Sequence, residues 1–220
     1  MTFTSGPLVA SLAALLAVSA AVPAAQNCPP PVEHRAETCS LRTVSIMMYN
    51  RSRMRQADLD GLLDVANQVW TPYGVSLQRG IGAGTVAVIV SDSKPVTKAN
   101  ETRTVLGTTL FSDGHATPYI NLSLGAAEEF ADSTSEDGVH FTARPTRQRD
   151  AILTRMLGVA LAHELAHYLL DTGVHSSGGL LKAGLDMRQL SFSDPARLKL
   201  TPGQQRQLCP AAVATTWGAR

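Results

Sequence analysis

The spacing of apolar residues predicts strands and one helix in the first half of the chain. Residues 43–49 are rich in β-branched side chains and partly alternate between apolar and polar, as strands do. Apolar residues then recur at helical spacing over residues 59–70, and Pro72 ends the pattern. Residues 75–78 and 86–90 are predicted strands, and the second is a continuous apolar run typical of an interior strand.

The second half predicts a hairpin, a long helix and a short closing helix. Residues 106–111 and 119–124 have strand composition, and the turn-rich segment 112–115 between them indicates a hairpin or a bulged sheet edge. Residues 150–170 form a strongly apolar segment of helical length. Residues 201–204 place a capping threonine before proline and glutamine, which predicts a helix start. This order of elements predicts an α+β domain with a mixed sheet and a long helix.

The length and charge of the chain indicate its domain number and exclude one class of partner. The chain has 220 residues and a formal net charge of +1. No basic run is visible, which argues against a nucleic-acid partner. We expect one domain over residues 43–220, preceded by a proline-rich and charged N-terminal arm over residues 26–42. The sequence leaves the oligomeric state open.

The start of the chain predicts export. Residues 8–22 are apolar and alanine-rich, too short to span a bilayer comfortably, and small residues follow. We expect residues 1–25 to be a signal peptide, cleaved near Ala24 to Gln26, which leaves a secreted or periplasmic protein with no stable membrane span. No lysine or arginine precedes the apolar run, so an N-terminal membrane anchor is the alternative.

Three cysteines, Cys28, Cys39 and Cys209, remain after the leader. An exported protein meets oxidising conditions, so one disulfide is expected and one thiol is left over. Cys28 with Cys39 and Cys39 with Cys209 are both plausible pairs. None of the cysteines has the paired spacing of a zinc site.

The long apolar helix carries His163, Glu164 and His167 in its second half, among apolar neighbours. The two imidazoles are four residues apart, so a helix projects them from one face towards one ion. Glu164 is turned by about 100° around the axis, where a carboxylate reaches a water at the metal rather than the metal itself. Burying these groups without a partner would cost several kcal/mol. A catalytic zinc ion removes that conflict, whereas a chance motif would not.

A catalytic zinc site needs a third protein ligand and one open position. No glutamate follows Glu164 in the chain, so a glutamate from a later helix is excluded as that ligand. His175 lies just beyond Gly173, which we expect to take the left-handed conformation that ends the helix and returns the chain. Asp171 is the rival ligand, although its place near the helix end favours a role in orienting a ligand imidazole.

These residues, followed by the sequence His-Ser-Ser-Gly-Gly-Leu-Leu from His175, resemble the zinc site of the metzincin metallopeptidases. The resemblance implies that His163, His167 and His175 bind Zn²⁺ and that Glu164 is the general base. It also implies a metzincin-like single catalytic domain. The chain departs from the family pattern at two places. At the first, Leu170 stands where the family has glycine, and the third histidine comes two residues later than in the family pattern. At the second, Leu180 or Leu181 stands at the position of the methionine beneath the metal, with Met187 as a second candidate.

The resulting hypothesis is a secreted zinc metallopeptidase that hydrolyses protein or peptide substrates. An extended peptide would add as a strand to the sheet edge formed by residues 106–111 or 119–124, beside the zinc helix. Two alternatives stay open. The first is a secreted zinc-binding domain without turnover, indicated by the stretched spacing and the missing methionine. The second is a structural or interaction domain in which the motif is a coincidence.

Overall fold

The computed structural model describes residues 42–82, 84–93, 104–136, 138–191 and 193–208, all within a compact unit that spans Glu37–Arg220. One sheet contains five strands: β1 (Arg42–Arg51), β2 (Val75–Arg79), β3 (Val86–Ser91), β4 (Gly107–Ser112) and β5 (His115–Ser123). Their order in the sheet is β2-β1-β3-β5-β4. β4 runs antiparallel to β5, and the other neighbouring pairs are parallel. The predicted mixed sheet is confirmed, and β4 lies at its edge.

Five α-helices accompany the sheet in the described part of the chain. They are α1 (Gln56–Trp70), α2 (Leu124–Ser133), α3 (Thr146–Leu169), α4 (Met187–Ser191) and α5 (Pro202–Leu208). Single turns of 3-10 helix lie at Thr71–Tyr73, Phe141–Ala143 and Pro195–Arg197, and a short ribbon joins β6 (Ser135–Glu136) to β7 (Val139–His140). The sequence pattern missed α2, which follows β5 directly and is capped by Ser123, whose hydroxyl accepts a hydrogen bond from the Ala126 N–H.

The long helix α3 forms the centre of the core. It begins four residues earlier than the apolar pattern predicts and ends one residue earlier. Leu157, Leu161 and Leu165 are fully buried along it, and each such burial contributes about 1.5–3 kcal/mol. α1 packs against α3, with Gly158 at the close approach to Leu62 and Val65. The predicted long apolar helix is confirmed. The polar side chains of Glu164 and His167 near its C-terminal end are buried as well.

The hairpin between β4 and β5 is also confirmed. Asp113 and Gly114 have positive φ angles of 52° and 83°. A two-residue turn with both central residues left-handed matches the twist of antiparallel strands. The pairing register shifts between Thr109 and Phe111, so β4 carries the bulge that the sequence suggested.

The closing helix α5 begins as predicted. The Thr201 N–H donates to Gln204 Oε1 at 2.8 Å, and the Gln204 N–H donates back to Thr201 Oγ1 at 3.3 Å. In the described ranges, no helix has the length and hydropathy needed to cross a membrane. The leader, the arm before Arg42 and the three cysteines lie outside the described residues.

Candidate metal centre

Three imidazoles converge beside the C-terminal end of α3. His163 Nε2 lies 3.1 Å from His167 Nε2 and 3.3 Å from His175 Nε2, and the nitrogens of all three lie within 4.8 Å of one another. A tetrahedral zinc ion with nitrogens at about 2.0–2.1 Å separates its ligands by about 3.3 Å. The predicted third histidine therefore joins the helical pair, and the three side chains are spaced to hold one metal ion.

Two backbone carbonyls fix which ring nitrogens carry protons. His163 Nδ1–H donates to the Leu180 carbonyl oxygen at 2.7 Å, and His167 Nδ1–H donates to the Thr172 carbonyl oxygen at 2.6 Å. Since a carbonyl only accepts, this network assigns the proton to Nδ1 in both neutral rings. Each Nε2 then presents a lone pair, and the two lone pairs face each other across 3.1 Å. That contact is repulsive unless a cation lies between them, so the donor set fits a metal ion.

Burial keeps these imidazoles neutral. Desolvation, followed by the neighbouring imidazole of His167, lowers the pKa of His163 to about 4. The pKa of His167 is lowered as well, chiefly by desolvation. Metal binding requires deprotonated imidazoles, so half-buried His163 and buried His167 can accept a metal at neutral pH without first releasing a proton.

The end of α3 differs from the sequence prediction. The Thr172 N–H bonds to the His167 carbonyl at 3.1 Å, and the Asp171 N–H bonds to the Tyr168 carbonyl at 3.3 Å. This is a Schellman motif, in which the left-handed residue is Asp171 with φ 44°. Assigning that conformation to Gly173 was wrong, because the chain already turns two residues earlier. The turn presents the Thr172 carbonyl to His167, so the helix end itself orients a ligand ring.

Asp171 does not orient a ligand imidazole, which corrects the second expectation for it. Its Oδ1 accepts from the Ala116 N–H at 2.7 Å, and its Oδ2 lies 2.6 Å from His115 Nδ1. The hydrogen bond from Ala116, followed by the contact with His115, lowers the pKa of Asp171. The carboxylate thus ties the start of β5 to the end of α3. Asp171 also stands outside the group of three side chains that could hold a metal.

A closed loop places His175. The Ser176 N–H donates to the Leu181 carbonyl at 2.8 Å, and the Leu180 N–H donates to the Lys199 carbonyl at 2.9 Å. Gly179, with φ 77°, passes so close to the Lys199 carbonyl that any Cβ would collide with it. This loop therefore holds His175 from one side while the Leu180 carbonyl orients His163.

The residues proposed for the methionine position have different surroundings. Leu180 and Leu181 are fully buried, and the Leu180 carbonyl contacts His163 directly. Met187 starts α4 and packs against the core, where its sulfur accepts from the Ser191 hydroxyl at 3.3 Å. Of the three candidates, Leu180 makes the hydrogen bond to the histidine group.

Glu164 lies next to the imidazoles, buried at 7 % exposure. Its Oε2 and its own backbone carbonyl each lie 2.8 Å from Thr109 Oγ1 on β4. Burial raises the pKa of Glu164 to about 7, since desolvation outweighs the hydrogen bond from Thr109. A carboxyl group with a pKa near neutrality is suited to take up and return a proton.

A cleft of about 890 Å³ opens over the three histidines and Glu164. Edge strand β4 forms one wall, and apolar side chains from α2, α3 and α4 contribute to the rest. Lys182 is the single ammonium group among the lining residues that the structure describes. The metal centre thus lies in an open cleft beside the edge of the sheet, where no other described strand pairs with β4.

The sequence interpretation missed four contributors to this site: the Leu180 and Thr172 carbonyls, Thr109, and Gly107. Backbone carbonyls carry no signature in a sequence. The polar run of residues 107–109, at the start of a strand that is apolar afterwards, was the available signal for Thr109.

Comparisons with known proteins found similarity to solved structures alone. No family model and no curated protein matches the chain. Among solved structures, archaemetzincin from Methanopyrus kandleri is similar over 76 % of this chain and 93 % of its own, with 10 % identity and a TM-score of 0.46. A zinc-dependent peptidase from Methanocorpusculum labreanum is similar over 75 % of this chain and 99 % of its own, with 11 % identity and a TM-score of 0.46.

Proposed function

We propose that this protein is a zinc metallopeptidase in which His163, His167 and His175 bind Zn²⁺ and Glu164 is the general base. The observation that carries the proposal is the convergence of three imidazoles, with His163 Nε2 3.1 Å from His167 Nε2 and 3.3 Å from His175 Nε2. Nitrogens at this spacing suit one cation between them. The buried carboxyl group beside them completes the set that metal-assisted hydrolysis needs.

When bound, zinc supplies a Lewis acid that polarises a carbonyl group and lowers the pKa of water. The protein supplies the proton transfers. Glu164 takes a proton from the attacking water and then delivers it to the nitrogen of the leaving amine, which balances the hydrolysis of one amide bond. Its raised pKa of about 7 in the buried environment reflects a carboxyl group that holds a transferred proton readily. A nearby cation would lower that pKa and favour the base form at rest.

An extended peptide is the substrate class that fits the cleft. Among the strands that the structure describes, β4 pairs with β5 alone and lies at the edge of the sheet. An unpaired edge offers backbone N–H and C=O groups to an added strand. Because the same strand lines the cleft beside Glu164 and the histidines, a peptide added there would pass over the metal centre.

The test is cleavage of a mixed peptide library by the zinc-loaded protein and by Glu164→Gln. We expect the variant to bind one zinc ion per chain and to lose cleavage by at least about 100-fold, the usual contribution of a general base. Glu129→Gln makes the same change at an exposed position on α2 outside the cleft lining, and it should cleave like the wild type.

The outcomes separate the alternatives. Cleavage retained by Glu164→Gln would refute the assignment of the base. Stoichiometric zinc with no cleavage by the wild type would indicate a zinc-binding domain without turnover. Failure of the wild type to bind zinc would indicate that the motif is a coincidence.

We also propose that the protein acts outside the cytoplasm, secreted or periplasmic. The apolar, alanine-rich run of residues 8–22 supports export. N-terminal sequencing of the mature protein tests this proposal: a start near Ala24 to Gln26 supports it, and a retained leader contradicts it.

A further inference from the structure

We propose that Thr109 is the positioning residue for Glu164, holding one carboxyl oxygen so that the other faces the reacting water. This inference rests on the proposed function. It goes beyond the metal ligands and the base, because it assigns a role to a side chain on the edge strand β4 that the sequence motif does not contain.

Hydrogen-bond geometry supplies the first argument. Thr109 Oγ1 lies 2.8 Å from Glu164 Oε2 and 2.8 Å from the Glu164 carbonyl oxygen, both at short hydrogen-bond distance. The hydroxyl therefore contacts the side chain and the backbone of the same residue. The contact with the helix backbone places the hydroxyl beside Glu164, and the contact with Oε2 restricts the side-chain rotamer and so the direction of its second oxygen.

Close packing supplies the second argument. A Cβ built on Gly107 would lie 2.9 Å from Glu164 Cγ and 3.3 Å from Glu164 Oε1. The Glu164 side chain therefore rests on the bare α-carbon of Gly107, two residues before Thr109 on β4. Oε2 is bound by Thr109 and Oε1 lies over Gly107, so the two oxygens have different surroundings. Oε1 is the oxygen left to contact water in the cleft.

The chemistry of a hydroxyl explains why threonine suits this position. A hydroxyl donates one hydrogen bond and accepts two. It can donate to Glu164 while the group is a carboxylate. Once the group is a carboxylic acid, the hydroxyl can accept from it and donate to the backbone carbonyl instead. Valine has nearly the same shape but leaves a buried carboxyl oxygen without this partner.

Thr109 lies on the same strand that would bind the substrate peptide. β4 is the strand to which an extended peptide would add, and Thr109 pairs with Ile120 of β5 within it. A single strand therefore holds both the peptide backbone and the carboxyl group of Glu164. Their relative position is fixed by one rigid element rather than by two separate loops.

Kinetics of zinc-loaded Thr109→Val and Thr109→Ser test the proposal. We expect Thr109→Val to lower kcat by about tenfold or more with KM and zinc content nearly unchanged, because the lost bond acts on the base and not on substrate binding. Thr109→Ser keeps the hydroxyl and should restore most of kcat. Thr117→Val is the matched control: it removes a hydroxyl that donates to the Leu110 carbonyl at 2.8 Å on the same hairpin, outside the cleft lining. Its kcat should stay within about twofold of the wild type.

Contrary outcomes are distinct. If Thr109→Val cleaves at the wild-type rate, the positioning role is refuted while the peptidase proposal stands. Equal losses of kcat in Thr109→Val and Thr109→Ser would indicate a packing role. Should Thr109→Val fail to fold, Thr109→Ala compared with Thr109→Ser gives the same test, since both lack the methyl group and differ only in the hydroxyl.

A crystal structure of the zinc-loaded wild type tests the geometry without any turnover. We expect Thr109 Oγ1 to remain within hydrogen-bond distance of a Glu164 carboxyl oxygen. A separation beyond that distance would overturn the inference, even if the protein cleaves peptides. A bond present in a protein that cleaves no peptide would instead count against the proposed function.

Discussion

Replacing Gly158 with alanine tests the packing that positions the metal-binding helix. An added Cβ would lie 2.6 Å from Val65 Cβ, 2.7 Å from Val65 Cγ1 and 2.8 Å from the Leu62 carbonyl oxygen. Val65 Cβ and the carbonyl oxygen belong to rigid parts of α1. Ordinary contact lies near 3.5–4.0 Å, so α1 and α3 would have to separate by about 1 Å.

Two opposing effects determine how much Gly158→Ala changes the free energy of unfolding. In an exposed helix, alanine is more favourable than glycine by about 1 kcal/mol. Forcing extra atoms into a well-packed core costs about 1–3 kcal/mol. Because several contacts here are far below van der Waals distance, packing wins, and we expect the free energy of unfolding to fall by about 1–2 kcal/mol.

Gly61→Ala is the matched control at the same helix–helix interface. Its added Cβ would meet only the Thr154 Cγ2 methyl group, at 3.1 Å. Both substitutions share the helix-propensity gain, so their difference isolates packing. Urea unfolding followed by circular dichroism should find Gly158→Ala less stable than Gly61→Ala by about 1–2 kcal/mol. Equal stability of the two variants, or a more stable Gly158→Ala, would refute the packing argument.

Three further predictions concern the site. Gly107→Ala should lower kcat while zinc content is retained, since its Cβ would lie 2.9 Å from Glu164 Cγ; unchanged kcat in peptide cleavage would contradict this. Asp171→Ala should lower stability to urea more than Asp171→Gly, because only glycine takes φ 44° without strain; the opposite order would contradict it. In chelator-treated protein, the contribution of His163 to stability should fall as the pH drops from 6.5 towards about 4, since the unfolded chain protonates His163 before the folded chain does, while the raised pKa of Glu164 acts in the opposite direction. The His163 contribution should amount to on the order of 3 kcal/mol, so a series of urea titrations should show that His163→Asn loses less stability than the wild type over this pH range; equal losses in the two proteins would contradict it.

Local patterns were sufficient to predict most of the regular elements. β1, α1 and β3 follow directly from strand composition, helical spacing and a continuous apolar run. Asp113-Gly114 predicts a hairpin because these residues tolerate the left-handed conformation that the turn needs. The capping residues before α5 carry their own partners within four positions. In each case the decisive interactions are local in sequence.

Contacts between distant residues account for what the sequence could not predict. The helix was expected to turn at Gly173, but Asp171 adopts the left-handed conformation, held by Ala116 and His115 some 55 residues away. Those bonds offset the strain of a non-glycine residue with φ 44°. No local rule assigns a positive φ to that aspartate.

The same distinction applies within the candidate site. His163, Glu164 and His167 could be placed together because a helix fixes their relative positions. His175 was inferred by excluding a later glutamate, and the loop closed by Ser176 and Leu181 brings it to the group. Thr109 could not be placed, since its contact with Glu164 depends on how β4 docks beside α3.

Zinc binding by the wild type beside His175→Ala, combined with X-ray absorption on the zinc-loaded protein, tests whether three imidazoles hold one metal ion. We expect one zinc ion per chain, three histidine nitrogens at about 2.0–2.1 Å, and zinc binding at least about tenfold weaker in His175→Ala. A wild type without zinc at micromolar metal, or a variant that binds as tightly as the wild type, would contradict this expectation.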